Sequence, residues 1–312
     1  MKIFENMEFV DLAVYTNRTL IVSDFHIGYE EALNKQGILM PRFQFKEVIE
    51  RLEAIFKKLK GRRIEKIVIL GDLKHEFGAI SEQEWRHTLR LLDYLGQHLK
   101  ISDKKFSVSK KSQSDFSGHC EEIILIKGNH DTILGPIAEK RNVKVRDYYL
   151  IEPIKNDKRM PIAKKTNKQA PTTKENNNKN RQKIINITGR ALKNPIIKKN
   201  SQKSTGKILC LHGDKIPPKE LLEGVSTIII GHEHPAVSIK NGPRAELFKC
   251  FLAGKWKRKD LIVVPAFNLV TEGTDIMKEK VLSPFLKGKL RNFNVVVAAD
   301  RLYDFGKVRD LS

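Results

Sequence analysis

Five short apolar runs in this chain end in residues that bind cations or move protons. Residues 20–22 lead into Ser23-Asp24-Phe25-His26, and residues 67–70 lead into Gly71-Asp72. Residues 123–126 lead into Lys127-Gly128-Asn129-His130-Asp131. Residues 208–211 end at His212-Gly213-Asp214, and residues 228–230 end at Gly231-His232-Glu233-His234. Runs of this length and composition read as strands buried on both faces. In an open α/β sheet, ligands bind beyond the carboxyl ends of strands, so ends far apart in sequence can converge on one crevice. Glycine accompanies four of the five ends and lets the backbone turn tightly beside a ligand. Polar residues that merely close off strands would account for aspartate and asparagine, but poorly for the histidines.

Between these runs the periodicity alternates. Residues 9–15 and 19–23 read as strands around the turn Thr16-Asn17-Arg18. Phe45, Val48, Ile49, Leu52, Ile55, Phe56 and Leu59 recur at helical spacing, with Gly61 as a stop. Residues 64–70 form the next strand. Ser81 and Glu84 make a capping box that opens a helix through Trp85, Leu89, Leu92 and Leu95. Further strands are expected at 122–126, 143–151, 207–211, 227–230, 261–264 and 295–298. Early strands alternate with helices and later ones follow one another closely. That order predicts a layered α/β core with antiparallel additions.

The chain has 312 residues, enough for a sizeable core, with 58 Lys and Arg against 37 Asp and Glu for a net charge of +21. Residues 155–207 hold 16 basic and 2 acidic residues, so this sixth of the chain carries +14 and the rest only +7. A protein basic over its whole surface is thereby excluded. Cys120, Cys210 and Cys250 are an odd number with no C-x-x-C, which argues against a disulfide framework and a thiolate zinc site. No uncharged apolar run approaches the ~18 residues needed to span a bilayer, and the first twenty residues lack a signal-peptide core. A cytoplasmic protein without membrane contact is expected.

Two stretches match no packed element. Residues 100–119 are rich in Lys and Ser. Residues 156–206 form a Lys/Asn/Thr/Gln tract expected to be disordered apart from a short helix near 184–192. Apolar strands resume beyond each, so both read as inserts in a single domain spanning 1–312. Without the second insert, the 83 residues from Asn129 to His212 shrink to about 32, room for a helix and a strand.

Taken in order, D-x-H, G-D, G-N-H-D, H and G-H-x-H resemble the calcineurin-like metallophosphoesterases. The strings from Asp24 to Glu30 and from Gly71 to His75 are similar to their small stand-alone prokaryotic branch. The resemblance implies a four-layer α/β/β/α sandwich with a mixed sheet core. It also implies hydrolysis of a phosphoester by in-line attack of hydroxide held by two divalent metals. Asp24, His26 and His234 would hold the first metal, Asn129, His212 and His232 the second, and Asp72 would bridge them. His130 would stabilise phosphate charge and protonate the leaving oxygen. Asp131 would orient the His130 ring and favour its imidazolium, cap a helix over 132–138, or do both. A donor set of carboxylate, imidazole and amide suits Mn²⁺ first, with Fe or Zn²⁺ as alternatives. The sequence departs from the family at His75, where many members carry an acid that supports the loop.

Other residues carry weaker signals. Tyr29 and Arg42 lie just past the first motif, within reach of a substrate phosphate or in plain solvent. Asp214 reads as a turn residue, and Glu233 is expected to point away from the metals. Trp256, set in Lys255-Trp256-Lys257-Arg258-Lys259, fits either a base-stacking basic patch or a hairpin tip. The 156–206 insert is either a DNA- or RNA-holding arm or a solvated low-complexity loop. Among phosphoester substrates, diesters and nucleic acids are preferred. The competing function is a nucleic-acid-binding or scaffold protein with little turnover, yet a scaffold would show lost ligand positions, and all seven are filled.

Overall fold

Adjacent residues of a strand face opposite sides, and at residues 20–22 both sides are buried. Leu20 and Val22 join a core that includes Val48, Leu52, Leu92 and Leu95, whereas Ile21 joins another that includes Val68, Ile229 and Phe251. A strand of this kind must lie between a helical layer and a second sheet. The computed structural model, which describes residues 1–4, 7–78, 80–106, 122–132, 134–153, 206–241, 243–288 and 290–311, has that arrangement.

The first sheet has seven strands in chain order: β1 (Lys2–Phe4), β2 (Met7–Val10), β3 (Ala13–Thr16), β4 (Thr19–Val22), β5 (Lys66–Ile69), β6 (Glu122–Ile126) and β7 (Lys144–Arg146). Its first four strands pair antiparallel and β4 to β7 pair parallel. The second sheet contains β8 (Tyr148–Ile151), β9 (Lys207–Leu211), β10 (Val225–Ile230), β11 (Pro235–Asn241), β12 (Arg244–Trp256), β13 (Lys259–Val263), β14 (Thr274–Asp275), β15 (Asn294–Ala298) and β16 (Leu302–Lys307). In it β10 runs parallel to both β9 and β13, while β8 and β12 flank these antiparallel. The helices are α1 (Tyr29–Lys35), α2 (Gln44–Lys58), α3 (Glu82–Phe106) and α4 (Gly135–Arg141). Faces of α2 and α3 cover the outside of the first sheet. Among the described residues the outside of the second sheet is covered by loop and 3-10 turns carrying Ile276, Phe285, Leu286 and Phe293. The layers are those of a metallophosphoesterase sandwich, with an outer layer poor in helix on that side.

Several elements differ from their sequence reading. Residues 9–15 are two strands, because Asp11 takes a left-handed backbone (φ 60°) and its carboxylate accepts from Arg51 and Lys58 of α2. Residues 143–151 also divide: β7 belongs to the first sheet and β8 to the second, so the chain changes sheets at Asp147. The polar stretch at 100–119 begins as helix. α3 runs to Phe106, since each residue added to a nucleated helix gains a hydrogen bond. Residues 107–119, and 156–206 apart from Gly206, lie outside the described residues, as does the expected helix at 184–192. The anticipated turn at Asn17-Arg18 has both residues left-handed (φ 43° and 59°), the geometry of a tight hairpin that follows strand twist. Trp256 is buried, with Lys257 over its ring at 4.4 Å, which leaves the hairpin reading and removes the base-stacking one. Among the described residues no helix is long and apolar enough to cross a membrane.

The sheets meet through Phe9 of β2 and Phe251 of β12, whose rings stack at 4.1 Å and 13°. Phe251→Ala should cost about 3–5 kcal/mol of stability in a urea titration. The double variant with Phe9→Ala should cost less than the sum of the two single changes, because both rings fill one space.

Candidate metal centre

The parallel strands β4, β5 and β6 of one sheet, and β9, β10 and β13 of the other, release their carboxyl ends toward a common floor. Main-chain bonds stitch these ends together. Asp24 N–H reaches the Gly71 carbonyl at 3.2 Å, and His26 N–H reaches the Asp72 carbonyl at 2.9 Å. Gly231 N–H donates to His212 at 2.8 Å. Between the sheets, Phe267 N–H donates to Ser23 at 2.8 Å and Asn268 N–H to Asp24 at 2.9 Å. Asp24 (φ 52°), His26 (46°), Asp72 (48°), His232 (67°) and His234 (50°) all have left-handed backbones. Such conformations cost of order 1–3 kcal/mol each in non-glycine residues and collect at functional sites.

The two aspartates divide their oxygens in the same way. Oδ2 of Asp24 accepts from Ser23 Oγ at 2.5 Å and His232 N–H at 3.0 Å, while Oδ1 is buried without a hydrogen-bond partner, 3.4 Å from His234 Nε2. Oδ1 of Asp72 accepts from His130 N–H at 2.9 Å. Its Oδ2 lies 3.7 Å from His26 Nε2 and 3.5 Å from His212 Nε2. In each carboxylate one oxygen is tied to the protein and the other faces the centre.

Imidazoles complete the floor. His26 Nε2 and His234 Nε2 are 3.3 Å apart, and His212 Nε2 is 3.1 Å from His232 Nδ1 and 2.9 Å from Asn129 Oδ1. His212 Nδ1 is held by the Leu70 carbonyl at 2.8 Å, which turns Nε2 to the site, the outer bond typical of a metal-binding histidine. Two groups of donor atoms that share Asp72 each fall within 4.8 Å of one another: Asp24, His26, Asp72 and His234, and Asp72, His212 and His232. A third group, His26, His75 and His130, lies beside them. Converging lone pairs, an orphaned buried carboxylate oxygen and no thiolate form a donor set that fits hard to borderline divalent cations.

Electrostatics point the same way. Burial pushes the Asp72 carboxyl up to about 6, against the pull of His212. Burial would raise Asp24 too, but His234, His212 and His26 beside it hold it below the ordinary carboxylate value. Burial brings His26 well below its usual value and His232 down to about 4, so both rings are neutral and ready as ligands at pH 7. His212 differs: burial alone would lower it, yet Asp24 and Asp72 outweigh burial and raise it. Two buried carboxylates whose negative charge outweighs burial at His212 are charge that a cation would take.

His130 stands at the edge of this floor, its ring edge-on to His26 with centroids 4.8 Å apart. Its Nδ1 sits 2.5 Å from the His75 carbonyl. The Asp131 carboxylate goes elsewhere, accepting from Leu73 N–H at 3.1 Å and Gly128 N–H at 3.0 Å, and α4 begins only at Gly135. Among the described residues Asp131 thus bonds neither the His130 ring nor a helix start, since α4 opens at Gly135; it closes the loop that carries Asn129 and His130. Burial outweighs Asp131 and the His75 carbonyl and leaves His130 below its ordinary pKa, so the resting ring is neutral rather than imidazolium. Glu233 is fully buried and turned away, accepting from Leu282 N–H at 2.9 Å and Ser283 N–H at 2.7 Å. Arg42 is exposed, and the Tyr29 ring stacks on His75 at 4.1 Å.

Four supporting residues escape the sequence pattern. Glu84, expected to reach back to its helix start, instead accepts from His75 N–H at 2.8 Å and Glu76 N–H at 3.0 Å. An acid from α3 thereby supports the loop where the family more often has one at position 75. Lys74, fully buried, donates to the carbonyls of Glu76 and of His130, the latter at 2.7 Å. Gln44 Nε2 donates to the carbonyls of Phe25 and His26 and to Asn268 Oδ1. Asn268 was open to discovery: it follows strand β13 as the other polar residues follow theirs.

The glycines make room. A Cβ on Gly128 would fall inside the Asp72 carboxylate, and one on Gly71 would lie 2.5 Å from His212 Nδ1. Gly128→Ala should therefore displace Asp72 and weaken divalent-cation binding in a calorimetric titration, with the circular dichroism of the fold retained.

Fourteen chains of solved structure are similar to this one. Among them the nuclease MPE of Pseudomonas putida aligns at a TM-score of 0.44 and 17% identity, over 95% of this chain and 92% of its own. No curated protein matches. A family model described as calcineurin-like phosphoesterase matches residues 17–236, a span that holds every residue of the two donor groups, and the chain belongs to that family.

Proposed function

We propose that this protein hydrolyses phosphoesters, with two divalent cations held by the strand-end residues. Asp24, His26 and His234 would hold one cation, Asn129, His212 and His232 the other, and Asp72 is the carboxylate common to both groups. The observation that carries this reading is the shared position of Asp72, whose Oδ2 is nearly equidistant from one imidazole of each group. A carboxylate so placed offsets the repulsion of two cations about 3.5–4 Å apart. Mn²⁺ suits this donor set best, with Fe or Zn²⁺ able to replace it.

Cations held there would supply Lewis acidity toward the phosphate and acidify a bound water near neutral pH. The chain's own residues do the rest. With Nδ1 directed to the His75 carbonyl, His130 has Nε2 available to the phosphate. An arriving anion favours protonation of that nitrogen, which then donates to the leaving oxygen. Asp131, Lys74 and Glu84 fix the two loops that place His130 and Asp72. Asn129 is exposed and His130 half-buried at the rim of the floor, an edge that suits an ester carrying a second substituent. That rim favours a diester or nucleic-acid substrate, as does the positive net charge, +14 of which lies in residues 155–207.

Chelation should abolish hydrolysis of bis-p-nitrophenyl phosphate, and Mn²⁺ should restore it. His130→Ala should retain metal near the wild-type amount while kcat falls about 10²–10⁴-fold, the usual range for a general acid; loss of metal would show that the ring is itself a ligand. Asp72→Asn should weaken both cations together by metal analysis, and selective loss of one would remove the bridging role.

A further inference from the structure

Phe77 is 57% exposed, yet it is not a loose surface side chain. Its loop, between β5 and α3, is fixed at successive residues. The N–H groups of His75 and Glu76 donate to Glu84, the Glu76 carbonyl accepts from Lys74, and the Phe77 carbonyl accepts from Thr132 Oγ1. The Phe77 ring lies against His130 with centroids 3.8 Å apart and planes tilted by 31°. It ends a row of rings in which Tyr29 meets His75 at 4.1 Å and His75 meets His130 at 5.5 Å.

Support for His130 does not explain this ring. His130 already has its N–H on Asp72, its Nδ1 at the His75 carbonyl and its carbonyl on Lys74. What Phe77 adds is a flat apolar surface, held still, next to the residue that meets the phosphate. A rigid aromatic beside a phosphate site suits a planar group one or two bonds from phosphorus, and any nucleobase stacks on such a ring. We propose that Phe77 is a specificity-determining residue: a nucleobase of the substrate stacks on it, so the site takes nucleotide phosphodiesters over esters that lack a ring. This rests on the hydrolase reading above and names its substrate class.

The test compares the Mn²⁺-loaded wild type, Phe77→Ala and Phe77→Trp on thymidylyl-thymidine and on the same dinucleotide with both bases removed. Phe77→Ala should raise KM for the intact dinucleotide about tenfold, which is about 1.4 kcal/mol, and leave kcat within about twofold. It should leave the base-free analogue unchanged, and Phe77→Trp should restore the KM. An equal fall in kcat on both substrates would make Phe77 a support for His130 and overturn the proposal, as would no change on either. Wild-type enzyme that hydrolyses p-nitrophenyl phosphate but neither binds nor cleaves the dinucleotide also overturns it, with the hydrolase reading intact. If metal-loaded protein hydrolyses no phosphoester, that reading is the one that fails, and equilibrium titration with thymidine 5′-monophosphate decides on Phe77: equal affinity of wild type and Phe77→Ala rejects the platform.

Discussion

Two buried aspartates dictate most of what surrounds them. Asp24 and Asp72 are almost without solvent, where a carboxylate is costly unless its oxygens are satisfied. Each gives one oxygen to fixed donors, Ser23 and His232 for Asp24 and the His130 amide for Asp72. The other oxygen is left among imidazoles from strands far away in sequence. A site of this kind needs a rigid frame, because the donors converge only if every strand end is held in register with its neighbours.

The two-sheet core supplies that frame. Apolar residues on both faces of β4, β5 and β6 lock the strands between α2 and α3 on one side and the second sheet on the other. Past the strand ends the backbone turns sharply into left-handed conformations at five ligand-type residues, strain that close packing of the core can sustain. Lys74, Glu84 and Asp131 then spend their polar groups on loop amides and carbonyls, not on the centre itself. The polar floor is thus built in two tiers. One tier faces the cavity, and the other holds the loops that carry it.

Much of this was legible in the residue pattern because it is local. A short apolar run followed by Asp, His or Asn states both a buried strand and what hangs from its end, and the order of those ends points to the family. The supporting tier was not legible, because its side chains bond loop amides and carbonyls at no periodic spacing, some nearby in sequence and some far away. Ser81 and Glu84 have the spacing of a capping box, and Ser81 does accept from the Glu84 N–H, but the Glu84 carboxylate turns to a loop that only the packing of α3 brings within reach. Asp131 follows His130 directly and yet bonds Leu73, because the β5 and β6 ends lie side by side. Trp256 looks accessible among four basic neighbours, but alternation along β12 turns it inward against Phe285.

By itself, then, the sequence determined the strand ends, the types of donor they carry and the α/β layering, all of which follow from hydrophobic period and residue chemistry over a few positions. Tertiary structure decided which oxygen of each aspartate faces inward, which ring nitrogens meet, how burial and the two aspartates shift the histidines in opposite directions, and that Phe77 stands exposed beside His130. These depend on distances between segments from about twenty to about two hundred residues apart, and such distances exist only once the two sheets have closed on their shared core.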